Sequence, residues 1–346
     1  ICKNNSKTSV KSLKKIGKLI VINSLVLLIL LLIVEYSLRH TNTITQMGLQ
    51  SYSYERFIEL KEFIPAVEVS SYSNNIEAIE LLEVNVALPC LADSNGLLVS
   101  KNSVNQESIL LLGDAQTSNL DLDPNERIHH LLFNKLDSSY QIINASYPSS
   151  DLIHSTNKLV NILLPMRPKV VLINHNLTDL LLLAKNGSYW NKIIGDKKKA
   201  RVSTTPFVPN VSLKKVEDSI ILKEYTKALS NIGQLLSNWH ITPIFITQAF
   251  NHYDSLNLSK LLQVKNIHIT NERVSALHRK INQEIRAICK DNNWSIIDLE
   301  RVLNSNPLYF NNYLLFNSSG TKEACQHISD SLKRWELVKT TEPTLL

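Results

Sequence analysis

Five short apolar runs, each closed by turn residues and separated from the next by a helical pattern, leave this chain few ways to fold. The runs lie at 108–112, 140–143, 169–173, 242–247 and 294–298. They are rich in branched residues and polar on neither face, which is the pattern of strands in a parallel sheet covered on both sides. Helical patterns occupy the intervals. One runs over 124–136, with Asp123 as the expected N-cap and Pro124 at the first helical position. Others follow at 151–164, at 213–238 with Ile220, Ile221, Tyr225, Leu229, Ile232 and Leu236 on one face, at 271–289 and at 319–335. Strand–helix alternation with right-handed crossovers predicts an α/β, three-layer sandwich around a five-stranded parallel sheet.

Sheets of this kind bind ligands beyond the carboxyl ends of their strands. Those ends are Gly113-Asp114-Ala115, Asn144-Ala145-Ser146, the segment 174–179 and the residues after Asp298. At the first of them the run Ile109–Leu112 breaks into a turn that opens a helix. A serine after Asp114 would present its hydroxyl where backbone N–H groups and the helix dipole favour a developing oxyanion. The position holds Ala115, which keeps the turn and removes the hydroxyl. Ser118 is no substitute, being three residues and nearly a full helical turn away. Glycine is scarce, 8 in 346 residues, so Gly96, Gly113, Gly187 and Gly320, all at turns, mark places where the backbone is constrained.

Charge is concentrated at the N-terminus. Residues 1–18 carry six lysines and no acid; without those six the 37 basic residues fall to 31, equal to the 31 acidic ones. The body is therefore neutral, with no basic face for nucleic acid. Residues 19–38 are apolar enough to be expected as an uncleaved transmembrane anchor, its lysine side cytoplasmic and the globular body in the periplasm or outside the cell. The remaining organisation reads as a linker over 39–105, one domain over 106–338 and a tail over 339–346. Cys2, Cys90, Cys289 and Cys325 are spaced like neither a metal site nor a disulfide framework, so free thiols are expected. No metal and no cofactor is expected.

The rim segments, in this order, resemble the SGNH/GDSL hydrolase family, in particular its membrane-anchored bacterial branch. The resemblance is carried by 93–96, 111–117, 144–146, 175–180, 186–190, 247–248, 297–299 and 316–320, from about residue 85 to 335. It implies a flavodoxin-like strand order and ester chemistry: a serine nucleophile, a histidine base oriented by an aspartate three residues before it, and an oxyanion hole from the serine N–H, a glycine N–H and an asparagine. Each role falls on a residue unsuited to it. The nucleophile position is Ala115, the glycine position Ser146 and the asparagine position Thr178. The aspartate falls on Asn312 and the histidine on Leu315, and residues 299–319 contain no Asp and no His.

Four polar residues remain as a candidate pocket: Asp114, His175, Asn176 and Asp179. Asp114 is expected to cap the helix after it, and His175 with Asp179 to shape the rim structurally. His154 is expected as a partly exposed face residue, and Tyr189 and Trp190 as aromatic packing under a loop. The expectation is a catalytically inactive pseudoenzyme that binds acylated carbohydrate or a protein partner in cell-envelope polysaccharide metabolism. The alternatives are an active carbohydrate esterase or O-acyltransferase built on His175, Asp179 or Asp114, and a purely structural envelope protein.

Overall fold

The computed structural model describes residues 18, 21–32, 35, 63, 92–100, 107–136, 140–189, 215–304 and 306–338. The chain divides into two units, Ile1–Arg56 and Phe57–Leu346. In the first, residues 21–32 are helical and their large apolar side chains are exposed. No helix among the described residues is long and apolar enough to cross a membrane, and the rest of the span expected at 19–38 lies largely outside them.

The second unit is α/β. Its strands are β1 (Leu98–Val99), β2 (Glu107–Gly113), β3 (Tyr140–Asn144), β4 (Val170–Asn174), β5 (Thr242–Ile246) and β6 (Ser295–Ile297). All five expected runs are strands, and they pair in parallel in the order β3-β2-β4-β5-β6, the flavodoxin-like arrangement. The expected five-stranded parallel sheet is corrected in one respect: the sheet is mixed and has six strands, because β1 adds to the β3 edge antiparallel, Leu98 opposite Asn144 and Val99 opposite Ile143. A two-residue strand has no period to read, so nothing in the pattern marked it.

What makes β1 is a turn. The Asp93 carboxylate accepts the N–H groups of Asn95 and Leu97 at 2.8 and 2.9 Å. Gly96 completes the turn at φ +71°, and a side chain there would run into the carbonyl of Phe63. Phe63 is itself buried against Ala92 and Leu98, so the sheet edge is closed by residues N-terminal to position 106.

The period of two in β2 divides the core. Leu110 and Leu112 face one apolar cluster, Ile109 and Leu111 the other. The first is covered by α3 (Leu152–Lys158), α4 (Leu177–Asn186), α5 (Asp218–Asn238) and α7 (Asn271–Asn292), the second by α2 (Ile128–Lys135) and α9 (Ser318–Arg334). Short helices α1 (Ala115–Ser118) and α8 (Leu299–Leu303) follow β2 and β6, and α6 (Ser255–Val264) follows β5. The pattern at 124–136 splits: Asp123 caps a 3-10 turn at Pro124–Glu126, and α2 starts afresh after Arg127. The pattern at 151–164 leaves α geometry at Leu159 for a π-turn and then a 3-10 turn. Cys289 and Cys325 are free and buried; Cys2 and Cys90 lie outside the described residues.

The chain turns sharply at Gly113, where a Cβ would sit 2.7 Å from the Thr117 Cβ and 2.8 Å from the Asn174 carbonyl oxygen. Gly113→Ala is expected to lower stability by about 1–3 kcal/mol, as overpacking does, read as a lower urea midpoint at unchanged slope.

Candidate functional site

Strand order reverses between β2 and β4, which opens the crevice at their carboxyl ends where α/β sheets hold ligands. Asp114 stands at that point, fully buried. Its carboxylate caps α1 through the Gln116 N–H at 3.1 Å and accepts from the Thr178 hydroxyl at 3.0 Å. The Gln248 amide donates to both its oxygens, at 3.2 and 3.1 Å. Burial raises its pKa, and the nearby His175 charge and these donors only partly offset that. The expected cap is therefore present, and it also ties three strand ends together.

The second polar cluster is organised by His175, just after β4, and Asp179, four residues on in the first turn of α4, both buried. His175 Nδ1 faces Asp179 Oδ2 at 3.3 Å, within ion-pair distance though not aligned as a hydrogen bond. Its Nε2 meets the Ser155 hydroxyl at 2.8 Å. Asp179 Oδ1 accepts from the Leu152 N–H at 2.8 Å and from the Tyr189 hydroxyl at 2.7 Å, while the Tyr225 hydroxyl donates to the His175 carbonyl at 2.7 Å. Ser155, His175 and Asp179 thus line up in the order of a hydrolytic triad, a relation invisible in the sequence because Ser155 comes from another helix. It is not a working one. Nδ1 is not aligned on Asp179 in the way that would orient the ring, and although burial lowers the His175 pKa, Asp179, Asp114 and Asp151 together outweigh it and raise it. Ser155 is also 2% exposed.

Asn176 belongs to a third set of contacts. Its amide donates to the His278 carbonyl and to Asn282 Oδ1, both at 2.9 Å, and Gln248 Oε1 accepts from the Leu177 N–H at 2.8 Å. The four candidate-pocket residues, Asp114, His175, Asn176 and Asp179, are thus all brought to one rim, but as buried structural polar groups.

Ala115, Ser146, Asn312 and Leu315 are buried, and Thr178 is partly so. Ala115 and Leu315, 3% and 2% exposed, share one apolar cluster with Leu314, Tyr313 and Phe250. Asn312 Oδ1 accepts the N–H groups of Leu314 and Leu315, both at 2.8 Å, so the side chain shapes that turn. Ser146 places its N–H on Asn144 Oδ1 at 3.0 Å and leaves its hydroxyl buried with no hydrogen-bond partner among the described residues. Thr178 spends its hydroxyl on Asp114. Gln116, which sequence reasoning passed over, closes the arrangement: its amide donates to the carbonyls of Ala249 at 2.8 Å and Leu314 at 2.6 Å. Tyr189 is buried as expected, and its chain neighbour Trp190 lies outside the described residues. Among the described residues no group of three or more metal-binding side chains occurs.

No protein-family model and no curated protein matches the sequence. Among solved structures, the chain is similar to the lipase/acylhydrolase from Enterococcus faecalis, at 14% identity and a TM-score of 0.45, over 68% of this chain and all of that one. It is similar to the psychrotrophic esterase EstA from Pseudoalteromonas sp. at 16% and 0.44, over 67% and 100%. It is similar to the acetyl xylan esterase AlAXEase at 14% and 0.43, over 65% and 99%. Likeness at this level leaves the reading of the site to this chain's own residues.

Two measurements follow from the geometry. Gln116→Leu keeps the volume and removes the amide, so it is expected to cost about 1–3 kcal/mol for each carbonyl left unpaired, read from urea unfolding. The second concerns pH. His129, pushed down to about 3 by burial and by Arg127 and His130, and His278, held well below its usual value by burial and by His252 and Arg279, are neutral in the fold. A histidine with a depressed pKa contributes stability that is complete above the unfolded value of about 6.5 and is lost as pH falls below it. The raised pKa values of Asp114 and His175 act oppositely, weakening the fold as pH rises. Stability is expected to drop from about pH 7 to about pH 5, and less steeply in His278→Gln, which cannot protonate.

Proposed function

We propose that this protein is of the SGNH/GDSL hydrolase type and that its covalent ester chemistry is lost, leaving a module that binds an acylated carbohydrate or a protein partner in the cell envelope. The observation that carries the reading is the replacement of all three reacting positions together. Ala115 stands at the start of α1, where the nucleophile belongs, and Leu315 is buried with it in the same apolar cluster. Asn312 supplies turn hydrogen bonds in place of a carboxylate. Loss of triad members removes several orders of magnitude in rate, and residues 299–319 contain no histidine and no aspartate.

An anchoring role for the N-terminus belongs to the same proposal. Six lysines precede an apolar stretch whose described part, residues 21–32, is helical with exposed Val, Ile and Leu side chains. A helix that is apolar all round suits lipid better than water.

The test is covalent labelling. The native chain is expected to form no adduct with a fluorophosphonate, read by intact mass, while Ala115→Ser combined with Asn312→Asp and Leu315→His gains one at residue 115. A serine adduct on the native chain overturns the proposal.

A further inference from the structure

The loop after β5 and the first half of α7 bring two histidine rings together. The rings of His252 and His278 have centroids 6.2 Å apart and planes at 81°. Phe250 packs on both, at 4.9 and 4.7 Å, and so holds the pair. His154 and His175 each have a carboxylate at Nδ1. Here, by contrast, three buried ring nitrogens have no hydrogen-bond partner among the described residues: His252 Nδ1 and both nitrogens of His278, a side chain at 0% exposure.

The protons can be placed. Asn304 accepts the Phe250 N–H on its Oδ1 at 2.8 Å, so the atom it turns to His252 Nε2, at 3.3 Å, is its amide nitrogen. Nε2 is therefore the acceptor, and the neutral His252 ring carries its proton on Nδ1. His278 holds one N–H in either tautomer. The pair thus offers two donors and nothing to receive them, and a buried N–H without an acceptor is a cost that the fold carries until a partner arrives.

Charge says what that partner is. Burial first, then Arg279, lowers the His252 pKa; burial, with His252 and Arg279 after it, holds His278 well below its usual value, so both rings are neutral donors. Arg279 follows His278 in α7 and is exposed, and the charge it brings to both rings is positive. Two N–H groups beside a guanidinium favour an anionic acceptor over a neutral one. His252 is only partly buried, which leaves a way in from solvent. The place adjoins the rim, since Asn176 donates to the His278 carbonyl at 2.9 Å and the Asn251 N–H to the Tyr313 carbonyl at 2.8 Å.

We propose that His252, His278 and Arg279 form a binding site for a small carboxylate. Its two oxygens lie side by side and accept the His252 Nδ1–H and the His278 N–H, while Arg279 supplies the opposing charge from the solvent side. The site makes no use of residues 115, 312 or 315, so it stands or falls separately from the loss of covalent chemistry.

The experiment is calorimetric titration of the full chain with sodium acetate at about pH 7.5, where both rings are neutral. Acetamide, of similar shape but uncharged, and inorganic phosphate are titrated beside it. His252→Phe keeps a ring against Phe250 and removes the donor; it stands at a partly exposed position, so a thermal midpoint near the native value confirms its fold even where His278→Gln unfolds. Saturable acetate binding is expected, weakened at least about tenfold in His252→Phe and to a smaller extent in Arg279→Gln, the scale of a hydrogen bond to a charged group. Acetamide and phosphate are expected to bind far more weakly. No saturable binding of acetate overturns the site, as does a folded His252→Phe that binds like the native chain. Acetamide binding as tightly as acetate overturns the assignment of charge, and phosphate doing so overturns that of a carboxylate.

Discussion

A carboxylate with no access to water sets the terms for this fold. Asp114 can remain in the interior only if donors replace the water it has lost, and the Gln116 N–H, the Thr178 hydroxyl and the Gln248 amide do so. Those donors come from the turn after β2, the helix after β4 and the loop after β5. Satisfying one group therefore fixes the relative positions of three strand ends. Gln248 passes the constraint on, since its other side-chain atom accepts from Leu177 while its backbone pairs twice with Asn282. A rim held this way has little freedom to rearrange, whatever occupies it.

The same rigidity lets the turn at Leu315 carry an apolar side chain. The turn that carries Leu315 is held by Asn312 from inside and by Gln116 from α1, so its backbone is placed without any contribution from the side chain at 315. That side chain is free to pack, and in packing it adds buried apolar surface to the larger core cluster. The backbone of that turn and the side chain it carries are thus set by different residues.

Where the sequence was legible, the signal was local. The five strands announce themselves as apolar runs, Asp114 as a cap by its place before a helix, and the His175–Asp179 relation by a spacing of four. What was missed depends on partners far along the chain. Ser155 meets His175 across 20 residues, Gln248 meets Asp114 across 134, and Gln116 meets Leu314 across 198. No periodicity encodes such contacts. β1 escaped for the opposite reason, being too short to have a period. His154, expected as a partly exposed face residue, is one, but its 2.7 Å contact with Asp151 Oδ2 was not read from the sequence.

The short antiparallel strap on β3 has a bearing on how these molecules behave together. The bare edge of a parallel sheet is a template on which a neighbouring chain can add a strand. Here that edge is taken at Ile143 and Asn144 by a strand of only two residues, and Ser100 occupies the next position by exchanging hydrogen bonds with Ile142. The far edge offers only the three residues of β6. Among the described residues, copies of this domain crowded side by side would find only short ledges on which to extend one another's sheets, so high local density need not bring aggregation with it.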